Sequence, residues 1–128
     1  MKALTPTHGA AAFGAYSPGV EHQGGRIVLT SGQLALAADG TVPETVGGQT
    51  EICLQTIEAI LKEAGMDRNH ILRLNAYVTD RSYMAEYMAA RDAFLIDATP
   101  KPASTLMIVS GFTRPEFLVE IEAYAGEP

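Results

Sequence analysis

The chain has 128 residues, one cysteine, fifteen Asp and Glu against nine Lys and Arg, and a formal charge of −6. That length suits a single domain spanning residues 1–128 that folds without staples, and a lone cysteine closes no internal bridge, as expected in a reducing cytoplasm. The acidic balance and scattered basic residues argue against a nucleic-acid partner, and the absence of a long apolar run argues for a soluble chain without a membrane partner.

The stretch up to Gly19 is rich in Ala, Gly, Pro and Thr and reads as an irregular arm ending in the turn signal Tyr16-Ser17-Pro18-Gly19. Val20-Glu21-His22 and Arg26 to Ser31 then read as two short strands, with Gly24-Gly25 suited to a hairpin turn between them. Asp39-Gly40 marks a turn, and Pro43 stands where a helix is expected to begin. Val46, Thr50, Cys53, Ile57, Ile60, Leu61 and Ala64 recur at helical spacing and predict one apolar stripe, stopped by Gly65.

Next, Leu72, Leu74, Ala76 and Val78 alternate with Arg73, Asn75, Tyr77 and Thr79, which predicts a two-faced strand. Ser82 is the expected cap of a second helix whose inner stripe is Met84, Tyr87, Met88, Arg91, Phe94 and Leu95. Arg91 interrupts that stripe, and its stem is expected to run along apolar surface with the head in water. Pro100 and Pro102 force an extended entry into a strand over Ser104 to Val109. After a turn at Gly111 to Pro115, the last strand sends Phe117, Val119, Ile121, Ala123 and Ala125 one way and Leu118, Glu120, Glu122 and Tyr124 the other.

These elements predict an α+β fold in which a sheet carries both helices on one face. The other face, with Arg73, Asn75, Tyr77, Glu120, Glu122 and Tyr124, is too polar for a core. Such a face either meets water or packs against copies of the chain, and only packing encloses a site.

For chemistry, His8, His22 and His70 lie far apart and there is no Cys-x-x-Cys pair, so no metal is expected and each histidine reads as a surface residue. No phosphate-binding glycine fingerprint is present, so no nucleotide cofactor is expected either. Cys53 falls on the apolar stripe and reads as core. Glu120 and Glu122, two residues apart on one face, stand out: neighbouring carboxylates repel, which favours one keeping its proton for acid–base work. Solvated charges on an exposed strand account for the same pattern.

Several segments together resemble the RidA/YjgF family, also known as endoribonuclease L-PSP. They are Gly14 to Val20, Leu29-Thr30-Ser31-Gly32-Gln33-Leu34, the helix ending Glu63-Ala64-Gly65, Ala76 to Asp80, Asp92-Ala93-Phe94, Lys101-Pro102-Ala103, and Leu118 to Ala123. The resemblance implies a chorismate-mutase-like fold, three sheets closing into a homotrimeric barrel, and small-molecule clefts between subunits. It also implies hydrolysis of reactive enamines and imines, with an arginine gripping the substrate carboxylate and a glutamate positioning water. Carried over, the glutamate is Glu120, the pocket tyrosine is Tyr16, and the Ser-Gly turn is Ser31 and Gly32. Ala103, Ser104, Leu106 and Met88 fall on the remaining substrate-binding positions.

Here the family's Pro-Ala-Arg reads Pro102-Ala103-Ser104, so the gripping arginine is a serine, and an expected asparagine is Met88. Replacing a bidentate arginine by a hydroxyl forfeits roughly 2 to 4 kcal/mol of carboxylate binding in a buried cleft. A neutral or larger substrate is therefore expected unless Lys101, Arg91 or Arg73 reaches the cleft. The first functional reading is an enamine or imine hydrolase, and the second is a silent trimer that binds a small molecule or a partner at the same clefts. Ribonuclease activity is the third, disfavoured by the lack of a basic groove or a stacking platform.

Overall fold

The strand with the clearest alternation, β7 (Val119–Gly126), takes a central place. It pairs antiparallel with β5 (Ile71–Val78) on one side, and on the other with β3 (Ile27–Leu29) and then β4 (Gln33–Leu34). Beyond β5 lies β6 (Ala103–Ile108), parallel to it. Parallel neighbours need a crossover, supplied here by α2 (Met84–Phe94). Helix α1 (Val46–Glu63) packs on β7 and against α2. The computed structural model describes residues 1–127, and the mixed sheet with two helices is the α+β architecture expected. Among the described residues, no helix is long and apolar enough to cross a membrane.

Alternation on β7 sends Val119, Ile121, Ala123 and Ala125 into the core, against Leu74, Ala76 and Val78 of β5. On β5 the pattern slips at its start, where a bulge between Ile71 and Arg73 turns Ile71 inward and leaves Leu72 half-buried. The stripe of α1 is likewise shifted: Leu54 is buried, while Ile60 and Ala64 are only half-buried. Cys53 is fully buried, and desolvation pushes its thiol up to about 12, which leaves it an inert core residue.

Three local expectations are corrected. Gly24 and Gly25 do adopt positive φ, yet they join no hairpin. Instead β2 (Gly19–Glu21) pairs with β1 (Lys2–Leu4), within the arm read as irregular, while β3 joins the main sheet. Ser82 caps no helix; its own amide and hydroxyl both donate to Asp80, which caps a 3-10 turn leading into α2. Helix α1 begins after Thr45, whose hydroxyl accepts from the Gly48 amide, so Pro43 lies outside it. The histidine reading also shifts, because both ring nitrogens of His22 are buried without a partner among the described residues, packed where a Cβ on Gly126 would sit.

The buried amide of Gln49 ties the start of α1 to the approach to β7. Its Nε2 donates to the Pro43 and Glu116 carbonyls, each at 2.8 Å, and its Oε1 accepts from the Leu118 amide at 2.9 Å. A second tie is Arg68, which bonds Glu58 of α1 through Nε at 2.7 Å, donates to the Phe94 carbonyl at 2.9 Å and stacks 4.1 Å above the Phe94 ring.

Gln49→Ala removes three part-buried hydrogen bonds and leaves a cavity at a fully buried position, so we expect a loss of roughly 2 to 4 kcal/mol, measured by urea unfolding. Arg68 holds the Glu58 carboxyl below the usual carboxylate range. A depressed pKa stabilises the folded state above the unfolded value, near 4.3, and the gain vanishes as pH falls through the folded value. Glu58→Gln is therefore expected to lower the melting temperature at neutral pH and to match the wild type in strong acid.

Candidate functional site

Strand register decides which candidate residues meet. Ser104 and Leu106 pair with Leu74 and Ala76 and so share their face of the sheet, the one carrying the helices. Glu120 pairs with Tyr77 and shares the open face. Within one chain, the serine standing at the arginine position and the candidate catalytic acid therefore lie on opposite sides of the sheet.

On the helix side, a pocket of about 240 Å³ opens between β6, α2 and the arm, lined by Phe13, Tyr16, Met84, Met88, Arg91, Ser104 and Leu106. Four of these were expected from the sequence: Tyr16, Met88, Ser104 and Leu106. Ala103 is buried with its side chain on the open face, beside Arg73, and does not line the pocket. Tyr16 is held in place by its neighbour: the Ser17 amide donates to the Pro102 carbonyl at 2.7 Å, and the Ser17 hydroxyl donates to the Lys101 carbonyl. Phe13 meets the Tyr16 ring edge-on at 5.7 Å.

Arg91 departs from its expected wet position, being only 4% exposed. Its Nε donates to Asp92 Oδ1 at 3.0 Å, its Nη1 donates to Ser104 Oγ at 3.2 Å, and its Cζ lies 5.7 Å from the Tyr16 and Tyr87 rings alike. These contacts replace the water a guanidinium ordinarily keeps. Nη2 also lies 3.0 Å from Asp92 Oδ1, but outside hydrogen-bond geometry, so it is buried without a hydrogen-bond partner among the described residues. The Tyr87 hydroxyl is buried beside Arg91 and Ser104, and desolvation pushes that phenol up to about 12. Gly14 makes the packing possible, because a Cβ there would stand 2.6 Å from Nη2.

Neither other candidate cation reaches this pocket. Lys101 Nζ caps the end of α2, donating to the Leu95 and Ile96 carbonyls. Arg73 lies on the open face, where it donates to Asn75 Oδ1 at 2.8 Å and to the Thr105 hydroxyl.

On the open side, Glu120 stands over Gly32. Between Leu29↔Tyr124 and Gln33↔Ile121 the register slips by one residue, so Thr30, Ser31 and Gly32 bow out of the ladder. Buried Thr30 pins the bulge, its amide donating to the Ala123 carbonyl at 2.9 Å and its hydroxyl accepting from the Ala123 amide at 3.0 Å. Ser31 and Gly32 are exposed, and Gly32 lies against the Glu120 carboxylate. The carboxylate pair read from alternation takes separate partners: Glu122 accepts from the Tyr77 hydroxyl at 2.5 Å, raising that phenol's pKa. No signal short of the fold pointed to Phe13, Met84, Tyr87 or Asp92 as site residues, whereas Arg91 was marked by breaking an apolar stripe.

The family profile described as Endoribonuclease L-PSP matches residues 7–127. Protein DfrA of Myxococcus xanthus is 30% identical over 128 aligned residues, covering 97% of this chain and 94% of DfrA. TdcF of Escherichia coli, by provisional description a reactive intermediate deaminase, is 33% identical over 62% of each chain. The chain spans 57% of the length of mitochondrial mmf1 of Schizosaccharomyces pombe, at 31% identity. Among solved structures, YyfB of Yersinia pestis, a Rid-family protein of unknown function, has a TM-score of 0.85 at 28% identity and 98% coverage of both chains. TdcF of E. coli with bound serine has a TM-score of 0.76 at 27% identity and full coverage of both.

A Cβ on Gly32 would fall 2.7 Å from Glu120 Cδ. Gly32→Ala is expected to swing this carboxylate away from the bulge while leaving the melting temperature nearly unchanged. A crystal structure of the variant checks this, and an unmoved Glu120 counts against a spatial need for glycine.

Proposed function

The chain belongs to the endoribonuclease L-PSP family, the RidA/YjgF family, and from that premise we propose that it hydrolyses reactive imines and enamines in a cleft shared by two copies of a homotrimer. The observation that carries this reading is the separation of two half-sites by one sheet. Glu120 with the Ser31-Gly32 peptides is on one face, and the Tyr16, Met88, Ser104 and Leu106 pocket is on the other. A second copy laid against the open face is the simplest way for both halves to meet one ligand.

That face favours such packing. Ile27, Leu29, Met107 and Tyr124 lie on it, and each is at least 40% exposed. Apolar area of this kind is ordinarily covered by a partner. The bound serine of TdcF supports a small, amino-acid-like ligand, and TdcF's description supports deamination.

In the reaction, water adds its oxygen to the imine carbon while Glu120 accepts a water proton. Glu120 passes that proton to nitrogen, giving a carbinolamine; the hydroxyl proton then also moves to nitrogen as the C–N bond breaks, so ammonia leaves and the carbonyl forms, and an enamine first tautomerises to the imine by moving an N–H proton to carbon. Water and proton transfers suffice, so the scheme requires no cofactor or metal. The net charge of −6 gives RNA no basic track, which disfavours the nuclease reading. The lone buried cysteine suits a cytoplasmic setting. One observation favours a binding module without turnover: the strand position expected to hold arginine is Ser104.

Purified protein is expected to accelerate ammonia release from 2-iminopropionate or from an uncharged imine, with Glu120→Gln lowering the rate about 100-fold or more. Ligand-induced thermal stabilisation should survive in that variant. Ammonia release at the uncatalysed rate from every imine refutes the hydrolase. Sedimentation should give a trimer that Leu29→Lys disrupts, and a wild-type monomer refutes the shared cleft.

A further inference from the structure

We infer that Tyr77 of β5 is a positioning residue for Glu120: its hydroxyl ties Glu122 to β5, so that Glu120 alone faces the bulge at Ser31 and Gly32. The inference rests on the imine-site reading and deepens it by naming what sorts the two carboxylates of that site.

Alternation places Glu120 and Glu122 on one face of β7, with Cα atoms two strand steps, or about 7 Å, apart. The bulge is bounded along β7 by the Gln33↔Ile121 pair and by Thr30, which is bonded twice to Ala123. Glu122 stands between Ile121 and Ala123 and is level with the bowed-out residues, whereas Glu120 pairs with Leu34 beyond them. Position along the strand therefore gives Glu120 no advantage over Glu122 as the acid beside the bulge.

The side chains nevertheless take different partners. Glu120 lies against Gly32, where an added Cβ would meet its Oε1 at 3.0 Å. Glu122 accepts from the Tyr77 hydroxyl at 2.5 Å. In the ladder Tyr77 stands opposite Glu120, and Asn75 stands opposite Glu122. Diagonal neighbours on adjoining strands are within reach of an aromatic side chain, so the phenol passes the acid it faces and bonds the next one.

That bond is strong enough to hold a side chain, because a hydroxyl donating to an ionised carboxylate sits at about 2.5 to 2.7 Å. It is also the largest cause of the raised pKa of Tyr77, ahead of desolvation, so the phenol keeps its proton and remains the donor. Arg73, on the same face of β5, gives its guanidinium to Asn75 and Thr105 and forms an ion pair with neither carboxylate among the described residues. The Tyr77 hydroxyl is thus what restrains Glu122. Released, a second carboxylate beside the bulge would repel Glu120 and compete for the water it holds, and a misplacement of about 1 Å at a reacting group costs rate on the order of 100-fold.

Tyr77→Phe keeps the ring and deletes only the hydroxyl. It is expected to lower kcat for ammonia release from 2-iminopropionate, or from an uncharged imine that the wild type turns over, about 10-fold, with KM changed by less than about 2-fold. Glu122→Gln removes the loosened charge, so Tyr77→Phe measured against Glu122→Gln alone should cost less than about 2-fold. A residue that merely packed the sheet would move the melting temperature without this coupling. Crystal structures of the wild type and of Tyr77→Phe need no turnover: in the variant, Glu122 should leave Tyr77's place and approach Ser31 and Gly32. A kcat that Tyr77→Phe leaves unchanged removes the positioning role and keeps the hydrolase. A loss that Glu122→Gln does not relieve, or a Glu122 that stays in place in the variant crystal, also overturns the role. Ammonia release from no imine, with Glu122 displaced in the variant crystal, removes the hydrolase and keeps the sorting of the carboxylates.

Discussion

The period-two alternation of β7 is the constraint on which the rest of the structure depends. Because successive side chains of a strand point to opposite faces, Val119, Ile121, Ala123 and Ala125 build the core, while Glu120, Glu122 and Tyr124 cannot enter it. The neighbours inherit the division through their register: Tyr77 and Arg73 go with the carboxylates, and Ser104 and Leu106 go with the helices. A reaction that needs residues from both faces then needs more than one chain. Under the proposed trimeric reading, oligomerisation and chemistry become one requirement, since the surface that would complete the cleft would also cover exposed Leu29 and Met107.

The pocket shows how a buried charge is accommodated when its usual strand position is lost. Removing a guanidinium from water costs several kcal/mol unless it is paired and hydrogen-bonded. Arg91 meets that demand with Asp92, the Ser104 hydroxyl and two aromatic rings. One nitrogen, Nη2, makes no hydrogen bond among the described residues and is held only by the Asp92 charge at 3.0 Å, and a buried donor left unpaired costs about 1 to 3 kcal/mol. A fold tolerates this where binding recovers the difference, which is why orphaned donors concentrate at sites.

Much of the scaffold was legible in the sequence because apolar periodicity is a direct record of burial. The two-faced strands over 71–78 and 119–126, both helices and the inert Cys53 follow from that pattern. What the pattern missed has local causes. The bulge at Ile71 shifts one residue out of phase, and Asp80 outcompetes Ser82 as a cap by accepting its amide and its hydroxyl together. The β1–β2 ribbon escaped notice because strands of three residues carry too little periodicity to read.

The sequence by itself determined the family, the element types, and the presence of an acid on the less apolar face of the last strand, since these depend on spacing along one chain. It also determined that Ser104 stands at an arginine position. Only the tertiary structure decided which cation lies beside Ser104, because whether Lys101, Arg73 or Arg91 reaches the pocket depends on contacts between distant segments. Lys101 is spent on the end of α2 and Arg73 is on the wrong face. Arg91 is brought to Ser104 by the packing of α2 beside β6, a proximity that no periodicity encodes.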